Sequence, residues 1–452
     1  RKLVLATNVA ETSVTVPDVT VVIDTLREKR IQYGEETGFA PLLAEGWVAK
    51  DSAQQRRGRA GRVQPGVCFK MIAIQQYESL EVSHPPEILS TPLSGLVLEV
   101  KAVNLEPKSF LASMPSPPPQ AAVTEARNEL RWLSAVEATD QEAITSLGRH
   151  LALLPVYPVI GKLLVVGCLI GVGSDAIRIA AMLSVRSPLK RHSDYDEARS
   201  KLKRSLQPHG SRSDHCILSV LLAQWMERGS NKRALSAEYG LSYERMTEAV
   251  QIAKQLQDHL GDSGLFDSSS NRRERDWRAV CSAVTAALYG QIVKIEKPPP
   301  QYKELVNGTM LVDPTPEQLK FYLPNRAGRV FVHPSSCLFA EGSFNVPFVV
   351  YSSKMMQNQN NRPKTSILDG TMAVPLALVL FGGKLAVKSY EHGTISVDGW
   401  IEFAGGSGRL VGLIQRLRHQ LDVALQTKLD DPSTDFQAIP AVEAAVALLS
   451  SG

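Results

Sequence analysis

Arginines and glycines recur with a three-residue step near the start of this chain. Within Ser52–Arg62 the arginines of that step are Arg56, Arg59 and Arg62, and the glycines are residues 58 and 61. Residues three apart share one side of a helix, so a helical segment would align the three guanidinium groups. The like charges and the glycines both disfavour a helix. We therefore expect an anion in front of the arginines and a closely packed element behind the glycines.

Phosphate is the anion that this chemistry favours, because a guanidinium stays protonated and binds phosphate oxygens with two parallel hydrogen bonds. The alternative is a solvated basic patch or an import signal, which are typically rich in lysine. Ser52–Arg62 contains no lysine and is followed by Pro65-Gly66 and Val67–Ile72, a turn and strand pattern. The sequence favours a phosphate site.

Two short apolar runs precede this segment, Lys2–Ala6 and Val19–Ile23. Their nearly continuous apolar character predicts strands buried on both faces of a parallel sheet. Each run ends at polar residues, Thr7-Asn8 and Asp24-Thr25. Ligands of open α/β sheets bind at this end of the strands, although such polar residues also cap turns routinely.

Two longer segments resemble a known family. Thr7–Val16 resembles motif V, and Gln55–Arg62 resembles motif VI, of the DEAH-box/RNA helicase A family of superfamily 2 helicases. The two motifs occur in the family's order, and further similarity extends over roughly residues 1–430, favouring the RNA helicase A-like branch. The segments that resemble landmarks of the winged helix, the ratchet domain and the OB-fold are Pro86–Leu89, Leu147–Leu151, Leu154–Pro158, His333–Ser336 and Leu380–Gly383.

The resemblance and the Pro, Gly and Ser punctuation predict a multidomain fold with α/β, all-α and all-β parts. The expected domains are a partial RecA-like parallel sheet from the second helicase lobe at 1–76, a winged-helix domain at 77–146, a helical ratchet bundle at 147–265, an OB-fold barrel at 266–395 and a C-terminal helical extension at 396–452. Periodicity further predicts a helix over Leu410–Leu429, and a short apolar run predicts a strand over Val374–Leu380.

The resemblance implies catalytic roles for three residues. Gln55 would orient the attacking water or contact the γ-phosphate of ATP, and Arg59 and Arg62 would be arginine fingers that stabilise charge on the phosphate oxygens. The residues expected to add nucleotide contacts are Arg56, Asp18 and Ser13.

The resemblance also implies contacts with RNA. Those expected near the RNA backbone are Thr7, Asn8 and Thr12, and those expected on the OB-fold are His333, Ser335 and Ser336. A structural turn is an equal alternative for the OB-fold group, because Pro and Ser favour turns. Arg27–Tyr33 would form part of a β-hairpin that separates strands.

Two residues depart from the family's pattern. Leu26 stands where the family usually has glycine, and leucine does not readily adopt a positive φ, so we expect the start of the hairpin to be altered. Pro17 stands where an acidic or amide residue is common, which leaves Asp18 as a substitute for the nucleoside contact.

The sequence contains neither a Gly-rich phosphate loop ending in Gly-Lys-Thr/Ser nor an Asp-Glu-Ala-His box. In the family both lie on a first RecA-like lobe, which would supply the Mg²⁺ ligands for ATP. We therefore expect the C-terminal part of a longer ATP-dependent RNA helicase, or a truncated gene model, with no metal site and no ATPase activity by itself. The alternative is a non-catalytic RNA-binding or ribonucleoprotein scaffold with a degenerate helicase lobe.

Composition sets limits on partners and location. A net charge of +4 over 452 residues permits nucleic-acid binding without requiring it. The five cysteines form no Cys-x-x-Cys pair, which suits a reducing compartment. The longest apolar run, Leu163–Val172, is shorter than the ~20 residues of a membrane span. We expect single-stranded RNA as a partner, a ribonucleoprotein or activator protein as a further one, no membrane, and an intracellular location in cytoplasm or nucleus.

Overall fold

The structure, a computed structural model, describes residues 2–7, 9–12, 18–32, 42–61, 64–139, 142–189, 196–208, 211–267, 271–305, 308–312, 314–324, 328–359, 362–404 and 406–451. The chain divides into two compact units. The first unit comprises Arg1–Leu93, Leu111–Ala122 and Met355–Pro363, and the second comprises Ser94–Phe110, Val123–Lys354 and Lys364–Gly452.

The first unit is a small α/β structure. Its elements are α1 (Val9–Thr12), β1 (Val21–Asp24), β2 (Arg27–Gln32), β3 (Leu42–Trp47), α2 (Lys50–Arg57), β4 (Val67–Lys70) and α3 (Ile74–Glu78). Strands β1 and β4 pair in parallel, with Val21 opposite Val67 and Asp24 opposite Lys70. The parallel sheet and the strand after Pro65-Gly66 are thus as predicted.

The predicted strand at Lys2–Ala6 is wrong. These residues form no ladder within the described part of the chain, and Leu3 and Leu5 are 84% and 91% exposed. A strand needs a hydrogen-bonding neighbour, and the neighbour with which β1 pairs in parallel is β4 instead. The predicted burial of β1 on both faces is also wrong, because Val21 and Ile23 are more than half exposed.

A β-hairpin follows β1 and is as predicted in outline. Strands β2 and β3 pair antiparallel, from Arg27 opposite Trp47 to Gln32 opposite Leu42. Residues 33–41, which include the end of the predicted hairpin segment, lie outside the described residues.

Leu26, at the start of this hairpin, adopts the positive φ that was expected to be difficult. Its φ is 58°, and its side chain is fully buried with Val48, Ala53 and Leu80. Left-handed backbone costs a non-glycine residue about 1–2 kcal/mol, whereas burying a leucine contributes about 1.5–3 kcal/mol. The expected alteration of the hairpin start is therefore wrong. Burial of the Leu26 side chain offsets the strain of its backbone, which adopts a conformation that glycine would also allow.

The second unit begins with helices. They are α4 (Ser94–Ala102), α5 (Pro107–Ala112), α6 (Gln120–Trp132), α7 (Ser146–Leu153), α8 (Pro158–Leu169), α9 (Gly173–Ser184), α10 (Asp196–Leu206), α11 (Asp214–Glu227), α12 (Lys232–Tyr239), α13 (Tyr243–Asp262) and α14 (Trp277–Ala287), with the ends of α5 and α6 belonging to the first unit. The apolar run Leu163–Val172 lies largely within α8, whose residues from Gly161 to Leu169 are all buried.

A closed five-stranded barrel follows, consistent with the predicted OB-fold. Its strands are β5 (Ile292–Glu296), β8 (Lys320–Tyr322), β9 (Arg329–Val332), β10 (Phe348–Gln359) and β11 (Arg362–Met372), after a separate hairpin of β6 (Gln301–Leu305) and β7 (Gly308–Val312). The strand order is β11-β9-β8-β5-β10, and β10 pairs back with β11. The interior is filled by residues such as Val293, Phe321, Val330 and Ile367.

The C-terminal part contains α15 (Pro375–Phe381), β12 (Leu385–Ser389), β13 (Thr394–Val397), β14 (Ile401–Ala404), α16 (Gly408–Asp430) and α17 (Pro440–Ser451). The helix predicted over Leu410–Leu429 is confirmed by α16. The strand predicted over Val374–Leu380 is wrong, since this run forms α15. Pro375 occupies the first helical turn, where its missing N–H is not needed.

The Gly382-Gly383 turn after α15 is held from two sides. Arg418 of α16 donates from Nη1 to the carbonyl oxygen of Val379 at 2.9 Å and from Nη2 to those of Gly382 and Gly383. A Cβ on Gly383 would collide with the carboxylate of Asp398, which accepts a hydrogen bond from Tyr289 Oη at 2.7 Å. Glycine is required here by close approach.

Among the described residues, no single helix has the length and apolarity to cross a membrane. The consecutive helices α7 and α8, which meet at 111°, meet that criterion only when they are taken together.

Substitution of Leu26 tests the balance between strain and burial. Leu26→Ala should destabilise the protein more than Leu26→Gly, because alanine loses the buried side chain and keeps the cost of positive φ. We expect a loss of about 1–3 kcal/mol for glycine and about 1–2 kcal/mol more for alanine, measured by urea denaturation. Greater stability of the alanine variant would contradict this account.

His215 predicts acid sensitivity of the second unit. This histidine is fully buried, its Nδ1 lies 2.7 Å from Thr371 Oγ1, and burial lowers its pKa to about 4 against a weaker raising effect of Asp214. The histidine of the unfolded chain takes up a proton as the pH falls through 6.5, whereas that of the folded chain stays neutral until the pH approaches 4. The contribution of His215 to the free energy of unfolding is therefore fully present above pH 6.5 and decreases as the pH drops toward 4.

The size of this effect should be about 2 kcal/mol at pH 5 relative to pH 7.5. His215→Asn should reduce the pH dependence of the urea midpoint by that amount, whereas His259→Asn, at an exposed position on α13, should leave it unchanged. Identical pH dependence in both variants would show that His215 is not the responsible group.

Candidate nucleotide and nucleic-acid site

Helix α2 has one buried and one exposed side. Ala53 packs in the cluster around Leu26, whereas Gln55 and Arg57 are exposed. The helix ends at Arg57, and residues 58–61 form a turn. The single helical stripe predicted for the arginines is therefore wrong, because the helix stops at the first glycine of the repeat.

Close packing behind the glycines is also not observed. Within the described residues, a Cβ on Gly61 would meet no atom within 4 Å. One on Gly58 would lie 3.3 Å and 3.5 Å from carbonyl oxygens of α2 itself, those of Gln55 and Gln54. Both glycines lie in the turn that ends the helix, and no neighbouring element in the described part of the chain approaches them.

Arg56 joins three segments of the first unit. Its Nε donates to Glu11 Oε2 of α1 at 2.9 Å, and its Nη1 donates to Asp24 Oδ1 of β1 at 3.1 Å. Nη1 also lies 3.4 Å from the carbonyl oxygen of Arg27, the first residue of the hairpin. The three ionic side chains are nearly buried, with 13% of Arg56, 12% of Glu11 and 4% of Asp24 exposed.

Both carboxylates favour the charged guanidinium. Burial by itself would lower the pKa of Arg56, but the hydrogen bonds and charges of Glu11 and Asp24 outweigh burial and raise that pKa. Arg56 was predicted to bind nucleotide. Nucleotide binding by Arg56 stays a prediction, and its described contacts with the two carboxylates fix the position of its side chain.

Asp24 also fixes the start of the hairpin. Its Oδ1 accepts a hydrogen bond from the backbone N–H of Leu26 at 2.8 Å, in addition to that from Arg56. The same carboxylate oxygen thus connects Arg56 of α2 to Leu26, the residue immediately before β2.

Arg59 is half-buried beside the same network. Its Nη2 donates to the carbonyl oxygen of Glu11. A guanidinium carries five N–H donors in a fixed plane, so this contact orients the side chain relative to α1. Arg59 and Arg56 therefore both tie the motif VI-like segment to the motif V-like segment.

The other nucleotide and RNA candidates near the N-terminus are only partly described. Asp18 lies in an exposed turn with a φ of 61°, and Thr7 is exposed immediately before α1. Thr12 is the last residue of α1. The candidates that lie outside the described residues are Asn8, Ser13 and Arg62, together with Pro17.

The hairpin is braced at its base by His84. His84 Nδ1 lies 3.2 Å from Arg30 Nη1, and its Nε2 lies 3.1 Å from Glu28 Oε1. Since an arginine only donates, Nδ1 accepts from Arg30, and Nε2 also lies 3.5 Å from the backbone nitrogen of Ala49. On the opposite strand, Trp47 packs under the guanidinium of Arg27, with 3.5 Å between Arg27 Cζ and the ring centroid.

The His333–Ser336 loop of the barrel divides into two parts. Ser336 is buried, and its hydroxyl donates to Asp214 Oδ2, while Asp214 Oδ1 accepts from Cys337 N at 2.8 Å. Ser335 is exposed, and its N–H donates to His333 Nδ1 at 3.1 Å. Burial favours the structural-turn interpretation for Ser336, which anchors the loop to α11, and leaves Ser335 and His333 at the surface side.

Within the described residues, no group of three or more His, Cys, Asp or Glu side chains is arranged to hold a metal ion. The five cysteines are free thiols.

Four family models match successive parts of the chain. They describe a helicase conserved C-terminal domain at residues 1–64, a ratchet-like helicase-associated domain at 157–218, an oligonucleotide/oligosaccharide-binding OB-fold at 280–385, and a C-terminal domain in RNA helicases at 393–452.

Curated relatives match across the same length. The DExH-box ATP-dependent RNA helicase DExH1 of Arabidopsis thaliana is 34% identical over 100% of this chain and 43% of its own length. The human ATP-dependent DNA/RNA helicase DHX36 is 32% identical over 96% of this chain and 42% of its own length. The homologues of this chain are DExH/DEAH-box RNA helicases. The resemblance inferred from motifs V and VI is confirmed, and the chain spans less than half the length of these helicases.

Sequence reasoning missed the partners of the helicase-motif arginines. Glu11 and Asp24 were visible as a polar residue of motif V and as the polar end of a strand, but nothing in their spacing assigned them to Arg56. His84 carried no sequence signal, since a lone histidine in a loop has many roles.

Removal of Arg56 should be costly. Arg56→Met leaves the carboxylates of Glu11 and Asp24 nearly buried without a cation, and we expect a loss of about 3–5 kcal/mol. The matched control is Arg57→Met, one residue further and exposed, which should change stability by less than about 0.5 kcal/mol. Equal effects of the two variants on the urea midpoint would refute the bridging role.

Proposed function

We propose that this chain is the C-terminal portion of an ATP-dependent RNA helicase of the DEAH/RNA helicase A-like type, which couples ATP hydrolysis to RNA translocation and unwinding. The observation that carries the proposal is the attachment of both Arg56 and Arg59 to Glu11. Because of this attachment, a movement of Arg56 or Arg59 in response to a nucleotide phosphate would also move the motif V-like segment. The contact of Arg56 with Asp24 would pass the same movement on to the hairpin.

ATP is the proposed substrate, bound between this chain and a first helicase lobe. Gln55 would orient the attacking water from the exposed side of α2, and Arg59 and Arg62 would stabilise the charge on the transferred phosphate. Arg56, Asp18 and Ser13 stay candidates for nucleotide contact. The Mg²⁺ ligands would come from the first lobe.

Single-stranded RNA is the proposed partner, bound along the helicase domains. Thr7, Asn8 and Thr12 would contact its backbone, with His333 and Ser335 contributing from the barrel. The domain boundaries of the sequence analysis, including a winged helix at 77–146 and a ratchet bundle at 147–265, are part of this proposal. An activator or ribonucleoprotein partner and an intracellular location stay predictions.

The β1–β4 sheet supports a lobe that continues in a longer protein. Val21, Ile23, Val67 and Phe69 occupy one face of this sheet and are each 52–65% exposed. In complete α/β domains, helices cover the apolar faces of the sheet. Further helicase-lobe structure packed here would bury them.

The scaffold alternative draws less support from Leu26 than the sequence suggested. Leu26 adopts a positive φ, a conformation open to glycine, so the hairpin start gives no sign of degeneration.

The test separates catalysis from RNA binding. Residues 1–452 alone should show no RNA-stimulated ATP hydrolysis. In a longer protein that includes the upstream lobe, Arg59→Ala should lower kcat by a factor of about 10³ or more, while the Kd for single-stranded RNA changes less than about twofold. Arg57→Ala is the matched control and should retain activity.

Three outcomes would overturn the proposal. They are ATPase activity of residues 1–452 alone, equal losses of turnover and RNA affinity in Arg59→Ala, or an upstream sequence without a phosphate loop and an acidic metal-binding box. The last outcome would support the scaffold.

A further inference from the structure

One serine in the second unit combines a distinctive sequence with an exposed position. The serine and threonine residues that a proline follows are Thr91, Ser116, Ser187 and Thr315. Of these, only Ser187 has a basic residue three positions further on, Lys190. A proline directly after the hydroxyl residue and a basic residue at the third position form the charge pattern that proline-directed protein kinases prefer. The sequence therefore singles out Ser187.

The hydroxyl groups of the other three residues are less available. Thr91 Oγ1 donates to the carbonyl oxygen of Glu87 at 3.1 Å, and Thr315 forms a capping box at the start of a short helical turn. Ser116 is half-buried. In contrast, Ser187 is exposed, and its hydroxyl forms no hydrogen bond within the part of the chain that the structure describes.

The segment around Ser187 is extended and attached to the start of α13. Val185, directly after α9, has an extended backbone with a φ of −101° and a ψ of 157°, and a residue before a proline also favours extended conformations. The carbonyl oxygen of Pro188 accepts a hydrogen bond at 2.8 Å from the backbone N–H of Ser242, which caps α13. An extended segment with an exposed hydroxyl group suits the substrate cleft of a kinase.

Arg245 of α13 reaches the same segment. Its Nη1 donates to the carbonyl oxygen of Ser187 at 2.7 Å. A guanidinium has five N–H donors, and among the described residues Arg245 forms no ion pair with a carboxylate. Arg186, next to Ser187, is exposed and likewise has no acidic partner in the described ranges. Two cations thus flank the serine, and a phosphate group there would carry nearly two negative charges.

We propose that Ser187 is a phosphorylation site of a proline-directed protein kinase, and that Arg245 and Arg186 bind the phosphoserine. The kinase transfers the γ-phosphoryl group of ATP to the serine. A P–O bond forms at Ser187 Oγ, the bond between the γ-phosphorus and the β–γ bridging oxygen breaks, and ADP and the hydroxyl proton are released. Charge-assisted hydrogen bonds from the guanidinium groups then tie the segment after α9 more firmly to α13.

The first experiment tests the site of modification. The 452-residue chain is incubated with a cyclin-dependent kinase and ATP, and the phosphorylated residues are mapped by mass spectrometry. Ser187 should be modified at least about ten times faster than the other three Ser/Thr-Pro residues, and Lys190→Ala should lower the rate at Ser187 about tenfold. Arg245→Gln should change that rate less than about twofold, because Arg245 binds the product and not the kinase.

The second experiment tests the role of Arg245. Amide hydrogen exchange is compared before and after phosphorylation in peptides that cover residues 185–189 and 240–246. Phosphorylation should slow exchange about fivefold in the parent chain and leave it unchanged in Arg245→Gln. The matched control is Arg416→Gln, which removes an exposed cation of α16 and should show the same slowing as the parent chain.

Two results would overturn the proposal. Faster modification of Thr91, Ser116 or Thr315, or none at Ser187, would contradict the assignment of the site. Equal slowing of exchange in the parent chain and in Arg245→Gln would contradict the binding of the phosphoserine by Arg245.

Discussion

A guanidinium that is nearly removed from water needs anionic partners, and in the first unit Arg56 has two. Glu11 and Asp24 come from α1 and from the end of β1, so one cation holds together the helix, the sheet and the start of the hairpin. Each carboxylate would be costly to bury alone. Loss of Arg56 would leave both carboxylates nearly buried without a cation, and Arg59 adds a second link to the same helix through the backbone carbonyl oxygen of Glu11.

Much of this organisation could be predicted from sequence, for identifiable reasons. Motifs V and VI were recognisable because residue types and order are both constrained, and α16 was recognisable because its leucines repeat at helical spacing. The strand β1 was visible as a β-branched run. These signals are local, and each depends on residues close together in the chain.

The errors share a different origin. The strand predicted over residues 374–380 is a helix, because a short apolar run with a proline is compatible with a helix as well as with a strand. Lys2–Ala6 forms no strand, because strand pairing depends on a neighbour that is distant in sequence. The contacts of Arg56 and Ser336 with Glu11, Asp24 and Asp214 could not be predicted either, because these partners are far away in sequence. Burial of Leu26 at positive φ is likewise decided by the core around it.

The uncovered face of the β1–β4 sheet has a practical consequence. Its four large apolar side chains lie beside strand edges that, within the described residues, pair with nothing further. Open edges next to an apolar surface recruit other polypeptides. The β1–β4 sheet is therefore the part of the described structure through which this stretch should self-associate as its concentration rises.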